Sequence, residues 1–439
     1  MGLGPLGRSF GDILFLAQSG AILTVTDFRS GSDIDASIES IKKKLSREQF
    51  DRIAWVLGKH RLSDFRTADI VLRASAVPLD SPYIKAAREK NVPTYSSAAL
   101  LTKIIHEQLP ESKTIGVTGT KGKSTVTAMI ESVLERNAYP YHLAGNVRGV
   151  TNLPLLKKIK NGDALLMELD SWQLQGFNDM KLSPKYSVFT NFFPDHMDYY
   201  TGSMKHYYRD KAAIFRYQQY PRTVVTKQTK DAITQYGRSK DLDQVITAQK
   251  KHLPDADYRV IGVHMNQNLV LAAHLCSLLG IDRQQIERGL LSFRSVEGRM
   301  QYLGKISGIH FYNDNNSTTP ESTALSIISI AKHYDTKVTW WGGGTEKVAD
   351  YEQLKTLFKY TKLNILFEGT ASKKIIQLYP DKKFHITKNT KESLKLIAQY
   401  AQPDDVVVFS PAAASFGMFK NEYDRNDSVV KAIKKFKRV

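Results

Sequence analysis

The chain has 439 residues and a hydrophobic fraction of 42%, which excludes a disordered chain and leaves room for roughly two to four domains. Lysine and arginine exceed the acids by 18 charges. The basic residues are spread along the chain, so we expect a solvated basic surface, or one that steers polyanionic small substrates, and no nucleic-acid partner.

No apolar run reaches the roughly 18 residues of a membrane span, and the N-terminal stretch lacks the charged region of a signal peptide. We therefore expect a cytoplasmic protein without a membrane span. The single cysteine, Cys276, lies in the helical pattern LVLAAHLCSLLG and is expected to be a small core residue, which excludes disulfides and cysteine metal sites.

A glycine-rich motif opens the sequence. MGLGPLGRS contains G-x-G-x-x-G, but the strand that should precede it is missing, so either the chain start or the first sheet departs from the usual pattern. The next strand-like run, AILTVTDF, leads to Asp27 and Arg29, where a ribose or phosphate partner would lie. The alternative is an ordinary turn at the end of a strand.

Strand-like runs alternate with helical patterns almost throughout, which predicts parallel sheets flanked by helices, an α/β fold. Weak boundaries near residues 100 and 295 divide these runs into three groups. We expect a Rossmann-like N-terminal domain over 1–100, a central P-loop ATPase-type domain with a mainly parallel sheet over 101–295, and a Rossmann-like C-terminal domain over 296–439.

The stretch GVTGTKGKSTV at 116–126 resembles a phosphate-binding loop, although Val117 stands where the longer loop has its first glycine. A strand runs into glycines and then a helix, so amides and the positive helix end converge on an anion. ATP is the natural ligand. Its expected binding residues are Gly119, Thr120, Lys121, Gly122, Lys123, Ser124 and Thr125.

Oxygen ligands for magnesium are available at the ends of the next two strands. Glu168 lies in LLMELDSWQL and His196 in the group PDHMD. Strand ends of a parallel sheet face one crevice, and magnesium prefers hard oxygen donors. Either residue alone could instead be a buried structural group.

At this point the sequence resembles a known family, the Mur ligases, which form amide bonds with ATP in peptidoglycan synthesis. The resemblance covers essentially the whole chain and is strongest to the branch that adds D-glutamate to UDP-N-acetylmuramoyl-L-alanine through an acyl phosphate. The matching motifs, in order, are GTKGKST, MELDSWQL, TNFFPDHMDYY, HYYRDKAAIF, GVHMNQNLVLAA, EGRMQYL, YNDNNSTTPEST, WWGGGTEKVADY and SPAAASFGMFKNEYDRN.

The resemblance implies roles for particular residues. Lys123, Lys211 and His196 would be catalytic, with Lys211 carbamylated by carbon dioxide to N6-carboxylysine. Two magnesium ions would be held by Ser124, Glu168, His196 and Lys211. Further residues would bind ATP (Asn268, Arg299, Asp314), the nucleotide sugar (Leu3, Asp27, Arg29, Asn146, Gln173) and the amino acid (Lys347, Ser415, Tyr423). The implied enzyme is a monomer.

Three side chains depart from the family's pattern. Asn316 replaces a common lysine, Asp170 replaces a serine beside Glu168, and Glu422 stands where an aromatic residue is common, with Tyr423 next to it. These departures keep two alternatives open. One is another amino-acid ligase of the superfamily, including the folylpolyglutamate type, and the other is a degenerate protein that binds nucleotide without catalysis.

Overall fold

The computed structural model describes residues 1–3, 8–75, 77–258, 260–346 and 349–437. The chain divides into two compact units, Met1–Tyr258 with Gln267–Phe293, and Arg259–Asn266 with Arg294–Val439. Both have parallel strands and helices in alternation, so the predicted α/β class is confirmed. The three-domain division at residues 100 and 295 stays a prediction.

The N-terminal part of the first unit contains two short parallel ladders, β1 with β2 and β3 with β4. The first residues join them, because the Gly2 amide donates to the Thr26 carbonyl and the Met1 amine to the Leu72 carbonyl. The elements are β1 (Leu23–Asp27), β2 (Ile53–Leu57), β3 (Val71–Leu72) and β4 (Thr94–Tyr95), with helices α1 (Arg8–Gln18), α2 (Ser32–Lys42), α3 (Arg47–Asp51), α4 (Leu62–Arg66), α5 (Pro82–Glu89) and α6 (Ser97–Gln108).

The rest of the first unit is built on a six-stranded parallel sheet in the order β10-β9-β8-β5-β7-β6. Its central strands are buried along almost their whole length, as expected for a parallel sheet covered on both faces. The strands are β5 (Lys113–Thr118), β6 (Tyr141–Gly145), β7 (Ala164–Glu168), β8 (Tyr186–Phe189), β9 (Thr223–Val225) and β10 (Val245–Thr247).

The helices that follow in the chain are α7 (Lys123–Arg136), α8 (Ser171–Asp179), α9 (Met204–Lys211), α10 (Lys227–Tyr236), α11 (Ser239–Leu242), α12 (Val263–Leu278) and α13 (Arg283–Ser292), with 3-10 turns at Leu153–Lys157, Ala212–Ile214 and Lys250–His252. Cys276 lies fully buried in α12, which confirms its prediction as a core residue. Among the described residues, no helix is both long and apolar enough to cross a membrane.

The second unit has a six-stranded sheet in the order β11-β12-β16-β13-β14-β15, in which β11 runs antiparallel to β12 and the other pairs are parallel. Consecutive tryptophans of β13, Trp340 and Trp341, belong to separate cores because successive side chains of a strand point to opposite faces. The elements are β11 (Gln301–Ile306), β12 (Ile309–Asn313), α14 (Pro320–His333), β13 (Val338–Gly343), a 3-10 helix (Tyr351–Lys359), β14 (Thr361–Phe367), α15 (Thr370–Leu378), β15 (His385–Thr387), α16 (Thr390–Tyr400), β16 (Val406–Phe409) and α17 (Glu422–Lys434).

Candidate active site

The phosphate-binding loop joins β5 to α7 and depends on two glycines. Gly122 precedes the first helical residue with φ 82°, and Gly119 has φ 148°, both values that side chains disfavour. A Cβ atom added to Gly119 would lie 1.8 Å from Thr190 Oγ1. The loop therefore lies too close to its neighbour for any residue but glycine, and the amino end of α7 opens directly from it.

Residues that follow β8 hold the loop from the side. The Thr120 amide donates to the Asn191 carbonyl at 2.9 Å, and the Lys121 amide donates to Asn191 Oδ1 at 2.8 Å. Thr190 Oγ1 donates to the Lys121 carbonyl at 2.6 Å. The segment TNFFPDHMDYY was predicted to contribute to the site through His196, but a role for Asn191 was not predicted. A polar residue directly after a buried strand was the available signal.

Two lysine side chains converge on one carbonyl of the loop. Lys123 Nζ donates to the carbonyl oxygens of Gly119 at 3.0 Å and Thr120 at 3.1 Å. Lys211 Nζ donates to the same Gly119 oxygen at 2.9 Å and approaches Thr118 Oγ1 at 3.4 Å. Two like charges so close together repel each other, and an anion bound between them would remove that cost.

The helical pattern around Lys211 alone would indicate a surface lysine. In the structure only 1% of Lys211 is exposed, so it is a buried residue. Burial, together with the nearby charge of Lys123, lowers the pKa of its amine well below the usual range, against the opposing pull of Asp170 and Asp195. The ring of Tyr207, one turn earlier in α9, lies 5.0 Å from Nζ.

Glu168 lies where the sequence predicts, at the carboxyl end of β7 between Val117 of β5 and Gly145 of β6. Its carbonyl accepts the Asn146 amide at 2.7 Å, which brings that predicted substrate residue beside it. Glu168 is only 7% exposed, and within the described residues its carboxylate has no hydrogen-bond or ion-pair partner. A buried carboxylate in this state has a strong affinity for a cation.

His196 follows β8 in a left-handed backbone conformation, φ 55°, and its ring lies 4.5 Å from that of Trp172. Burial lowers the pKa of the imidazole, the charges of Lys211 and Lys123 add to this effect, and Asp195 opposes it. The neutral ring is the form that can bind a metal. The described residues contain no cluster of three His, Cys, Asp or Glu side chains arranged to bind a metal.

The departure at Asp170 has a structural explanation. Asp170 is the N-cap of α8 and accepts the Gln173 amide at 2.7 Å, while Gln173 Oε1 accepts the Asp170 amide at 3.3 Å. Serine and aspartate both serve as N-caps, so the replacement keeps the helix start. The reciprocal cap also engages the side-chain oxygen Oε1 of Gln173. Gln173 was predicted to contact the substrate.

Asn268 of α12 lies beside the loop, since a Cβ atom on Gly122 would lie 3.0 Å from Asn268 Oδ1. The predicted adenine-binding residue and the phosphate loop are thus neighbours. The two predicted hydroxyls of α7 differ in exposure, because Thr125 is 6% exposed and faces the interior whereas Ser124 is half-buried. Ser124 is the better candidate for a metal ligand.

The three predicted nucleotide-sugar residues of the N-terminal part lie together. Asp27 accepts the Leu3 amide at 2.8 Å, the Arg29 amide at 2.9 Å and two guanidinium nitrogens of Arg29. Burial raises the pKa of Asp27, but the bonds from Arg29 and Leu3 outweigh it and lower that pKa to about 2. The carboxylate is therefore charged and fixed in position.

In the second unit, Asp314 follows β12 and bonds Met300, the residue next to Arg299. Asp314 is 3% exposed and accepts the Met300 amide at 3.0 Å and Ser410 Oγ at 2.9 Å. Burial raises the pKa of its carboxyl, and the hydrogen bonds only partly offset this effect. Arg299 Nε is buried with no hydrogen-bond partner among the described residues.

Two of the predicted amino-acid residues lie in or just before α17, Tyr423 in its first turn and Ser415 in the segment that leads to it. Ser415 is buried, Tyr423 is partly buried, and the side chain of Glu422 is exposed. The Glu422 carbonyl accepts a hydrogen bond from Asn315 Nδ2 at 3.1 Å. Asn316, which replaces the common lysine, accepts from the same nitrogen through its Oδ1 at 3.2 Å. Lys347 lies outside the described residues. The departure at Glu422 therefore places a charged side chain at the surface.

Comparisons with known proteins agree with this arrangement. Residues 117–272 match the model of the Mur ligase middle domain. The UDP-N-acetylmuramoylalanine–D-glutamate ligase of Borreliella afzelii (strain PKo) is 32% identical over 97% of this chain and 94% of that protein. The protein of the same name from Roseiflexus sp. (strain RS-1) is 29% identical over 99% of this chain and 98% of its own length.

Solved structures show the same fold. The UDP-N-acetylmuramate–alanine ligase of Thermotoga maritima superposes with a TM-score of 0.62 at 18% identity, covering 99% of this chain and 98% of that structure. A second ligase from Thermotoga maritima, solved in complex with ADP, gives a TM-score of 0.59 over 85% of this chain and 98% of that structure, also at 18% identity. The chain belongs to the Mur ligases, in the family of the UDP-N-acetylmuramoylalanine–D-glutamate ligases.

Proposed function

We propose that this chain joins D-glutamate to UDP-N-acetylmuramoyl-L-alanine at the expense of ATP, a step of peptidoglycan precursor synthesis. The observation that carries the proposal is the convergence of Lys123 and Lys211 on the Gly119 carbonyl, beside the buried Glu168. The ammonium of Lys123, the neighbouring Lys211 side chain and a buried carboxylate at the end of one sheet are groups that a metal-bound triphosphate needs.

The chain's own groups would bind the phosphates of ATP and compensate their charge. The amide groups at the start of α7 face the anion with the positive end of the helix. Lys123 supplies a mobile ammonium to the outer phosphates. Asn191 and Thr190 keep the loop in its bound shape before ATP arrives, so little reorganisation is needed.

Magnesium fits the donor set. Glu168 offers an uncompensated carboxylate, Ser124 a half-exposed hydroxyl and His196 an imidazole whose neutral form is favoured. Magnesium held there would offset the negative charge of the phosphates. The presence of two such ions remains part of the proposal.

Lys211 is suited to carbamylation. Its neutral amine can add to carbon dioxide, forming the N–C bond of a carbamate and releasing one proton. Burial and the Lys123 charge favour the neutral amine that this reaction requires. The product places an anion beside Lys123 where the neutral amine stood, which creates an attractive pair.

The reaction has two steps. The L-alanyl carboxylate attacks the γ-phosphorus of ATP, so the bond to the bridging oxygen breaks and ADP leaves an acyl phosphate. The amine of D-glutamate then attacks the acyl carbon, and phosphate leaves as the amide forms. Because water would hydrolyse the acyl phosphate, exclusion of solvent is required during this interval.

Substrate recognition is divided between the two ends of the chain in this proposal. Leu3, Asp27 and Arg29 would bind the uridine diphosphate as one hydrogen-bonded group, in which the Asp27 carboxylate can accept from ribose hydroxyls and the Arg29 guanidinium can donate to phosphate. Ser415, Tyr423 and Lys347 would receive the carboxylates and flank of D-glutamate. A monomeric chain in the cytoplasm is part of the same proposal.

A panel of D- and L-amino acids tests the amino-acid assignment. Purified protein is supplied with ATP, magnesium and UDP-N-acetylmuramoyl-L-alanine, and the product is identified by mass. We expect product with D-glutamate, because the side chain of Glu422 is exposed while that of Tyr423, next to it, is partly buried and can take the aromatic role. Product with another amino acid and none with D-glutamate would transfer the chain to a different ligase specificity.

A further inference from the structure

A chain of buried polar side chains in the first unit leads to the residue before Lys211. It contains Arg73, which follows β3, Gln175 of α8 and Asp210 of α9, and each of these is 3% exposed or less. Buried polar groups are costly unless they are bonded, so a continuous set of this kind fixes the elements that carry it. We call these three residues the buried relay.

The distances define the relay. Arg73 donates through one terminal nitrogen to Gln175 Oε1 at 3.2 Å and to the Trp172 carbonyl at 3.3 Å. Gln175 Nε2 donates to Asp210 Oδ2 at 2.7 Å. Tyr200 donates a further hydrogen bond to the same carboxylate oxygen at 3.2 Å.

The amide of Gln175 has one satisfactory orientation in this position. A guanidinium can only donate, so Oε1 must face Arg73, which leaves Nε2 to donate to Asp210. The bond to Asp210 fixes the last turn of α9. Lys211 is the next residue of that turn, and its Nζ lies 2.9 Å from the Gly119 carbonyl.

We propose that Gln175 is a positioning residue that holds Asp210 and thereby places Lys211 against the phosphate loop, with Arg73 holding Gln175. Gln175 and Arg73 touch no reacting group in this account. The inference rests on the proposed function only where a change in turnover is used to test it. The position of Lys211 itself can be measured without any substrate.

The test uses Gln175→Leu, which has a similar size and removes the hydrogen bonds to Arg73, Asp210 and Tyr199. The matched control is Gln218→Leu. Gln218 is buried to a similar degree in the same unit and donates to the Pro184 carbonyl at 2.9 Å, while its Oε1 accepts from Thr223 Oγ1 at 2.8 Å. Both variants should therefore lose stability by similar amounts, so a difference between them in any other measurement is not a folding effect.

The first measurement is labelling of the full chain by cyanate without substrates, followed by peptide mass analysis. Cyanate carbamoylates neutral amines. We expect the labelling rate of Lys211 to change at least threefold in Gln175→Leu relative to the wild type, because its reactivity depends on where the amine lies, and to keep the wild-type value in Gln218→Leu. Equal labelling of Lys211 in all three proteins would overturn the inference.

The second measurement is turnover with saturating substrates. We expect kcat to fall about tenfold or more in Gln175→Leu, with KM for ATP changed less than threefold, and Gln218→Leu to retain kcat per folded molecule. A Gln175→Leu variant with wild-type kcat would also overturn the inference. If the wild type itself shows no ligation, the proposed function fails, and cyanate labelling still decides the role of Gln175.

Discussion

At the scale of single residues, the glycine at position 119 is the most constrained part of the loop. Gly119→Ala should abolish ATP-dependent turnover and cost roughly 1–3 kcal/mol of unfolding free energy, because the new Cβ atom would overlap Thr190 Oγ1. Chemical denaturation and phosphate release measure the two effects.

Gly162→Ala is the matched control for this substitution. Gly162 also has a positive φ, 96°, but no atom lies within 4 Å of the position of an added Cβ. It should lose stability through backbone strain alone and keep its turnover. If Gly119→Ala behaved like Gly162→Ala, the close approach of the loop to Thr190 would not matter for function.

Lys211 offers a second prediction at this scale. Lys211→Ala should lower kcat at least about 100-fold, since the lost group acts where charge develops on the phosphate. The control is Lys113→Ala, which removes an ammonium that donates to the Leu279 carbonyl at 2.9 Å and lies outside the site. Circular dichroism would establish that both variants fold, and full activity in Lys211→Ala would remove Lys211 from the site.

At the scale of elements, helix α1 is fastened to the 3-10 helix Leu153–Lys157 by a buried carboxyl. Asp12 accepts the Leu153 amide at 2.9 Å, and burial raises the pKa of Asp12 to about 6 although its hydrogen bonds oppose this shift. The folded state therefore binds this proton more tightly than the unfolded chain, whose carboxyl has a pKa near 3.8. Stability therefore falls as the pH rises from about 3.8 to about 6, and the contribution of the bound proton is lost above pH 6.

The resulting prediction concerns Asp12→Asn, which cannot ionise. Relative to the wild type, the variant should gain about 1.4 kcal/mol of stability between pH 5 and pH 7.5, because only the interval from pH 5 to the folded pKa of about 6, about one pKa unit, lies in that window. Urea unfolding at the two pH values measures it. A difference independent of pH would show that Asp12 does not carry this proton.

The same scale shows which elements the sequence could predict. The strand–glycine–helix pattern from β5 to α7 and the apolar runs of β7 and β8 are local signals, and the structure confirms them. The clamp by Asn191 and the buried relay were not predicted, because their bonds join residues from 35 to 102 positions apart. No local pattern encodes such contacts.

At the scale of the whole molecule, family membership accounts for residues that physical reasoning alone left ambiguous. Lys211 resembles an ordinary helix lysine in the sequence, and only the resemblance singled it out before the structure placed it at the loop. The roles of Arg299, Asp314 and Ser415 still depend on that resemblance. Their action on the substrate is a prediction from that resemblance.

The central claim is that continued cleavage of ATP at this site requires both UDP-N-acetylmuramoyl-L-alanine and D-glutamate. Phosphate release from ATP, measured with UDP-N-acetylmuramoyl-L-alanine in the presence and absence of D-glutamate, tests it most directly. The account predicts sustained release only when both are present, since acyl phosphate forms on one and is consumed by the other. Tight binding of ATP with no phosphate release under any of these conditions would contradict it.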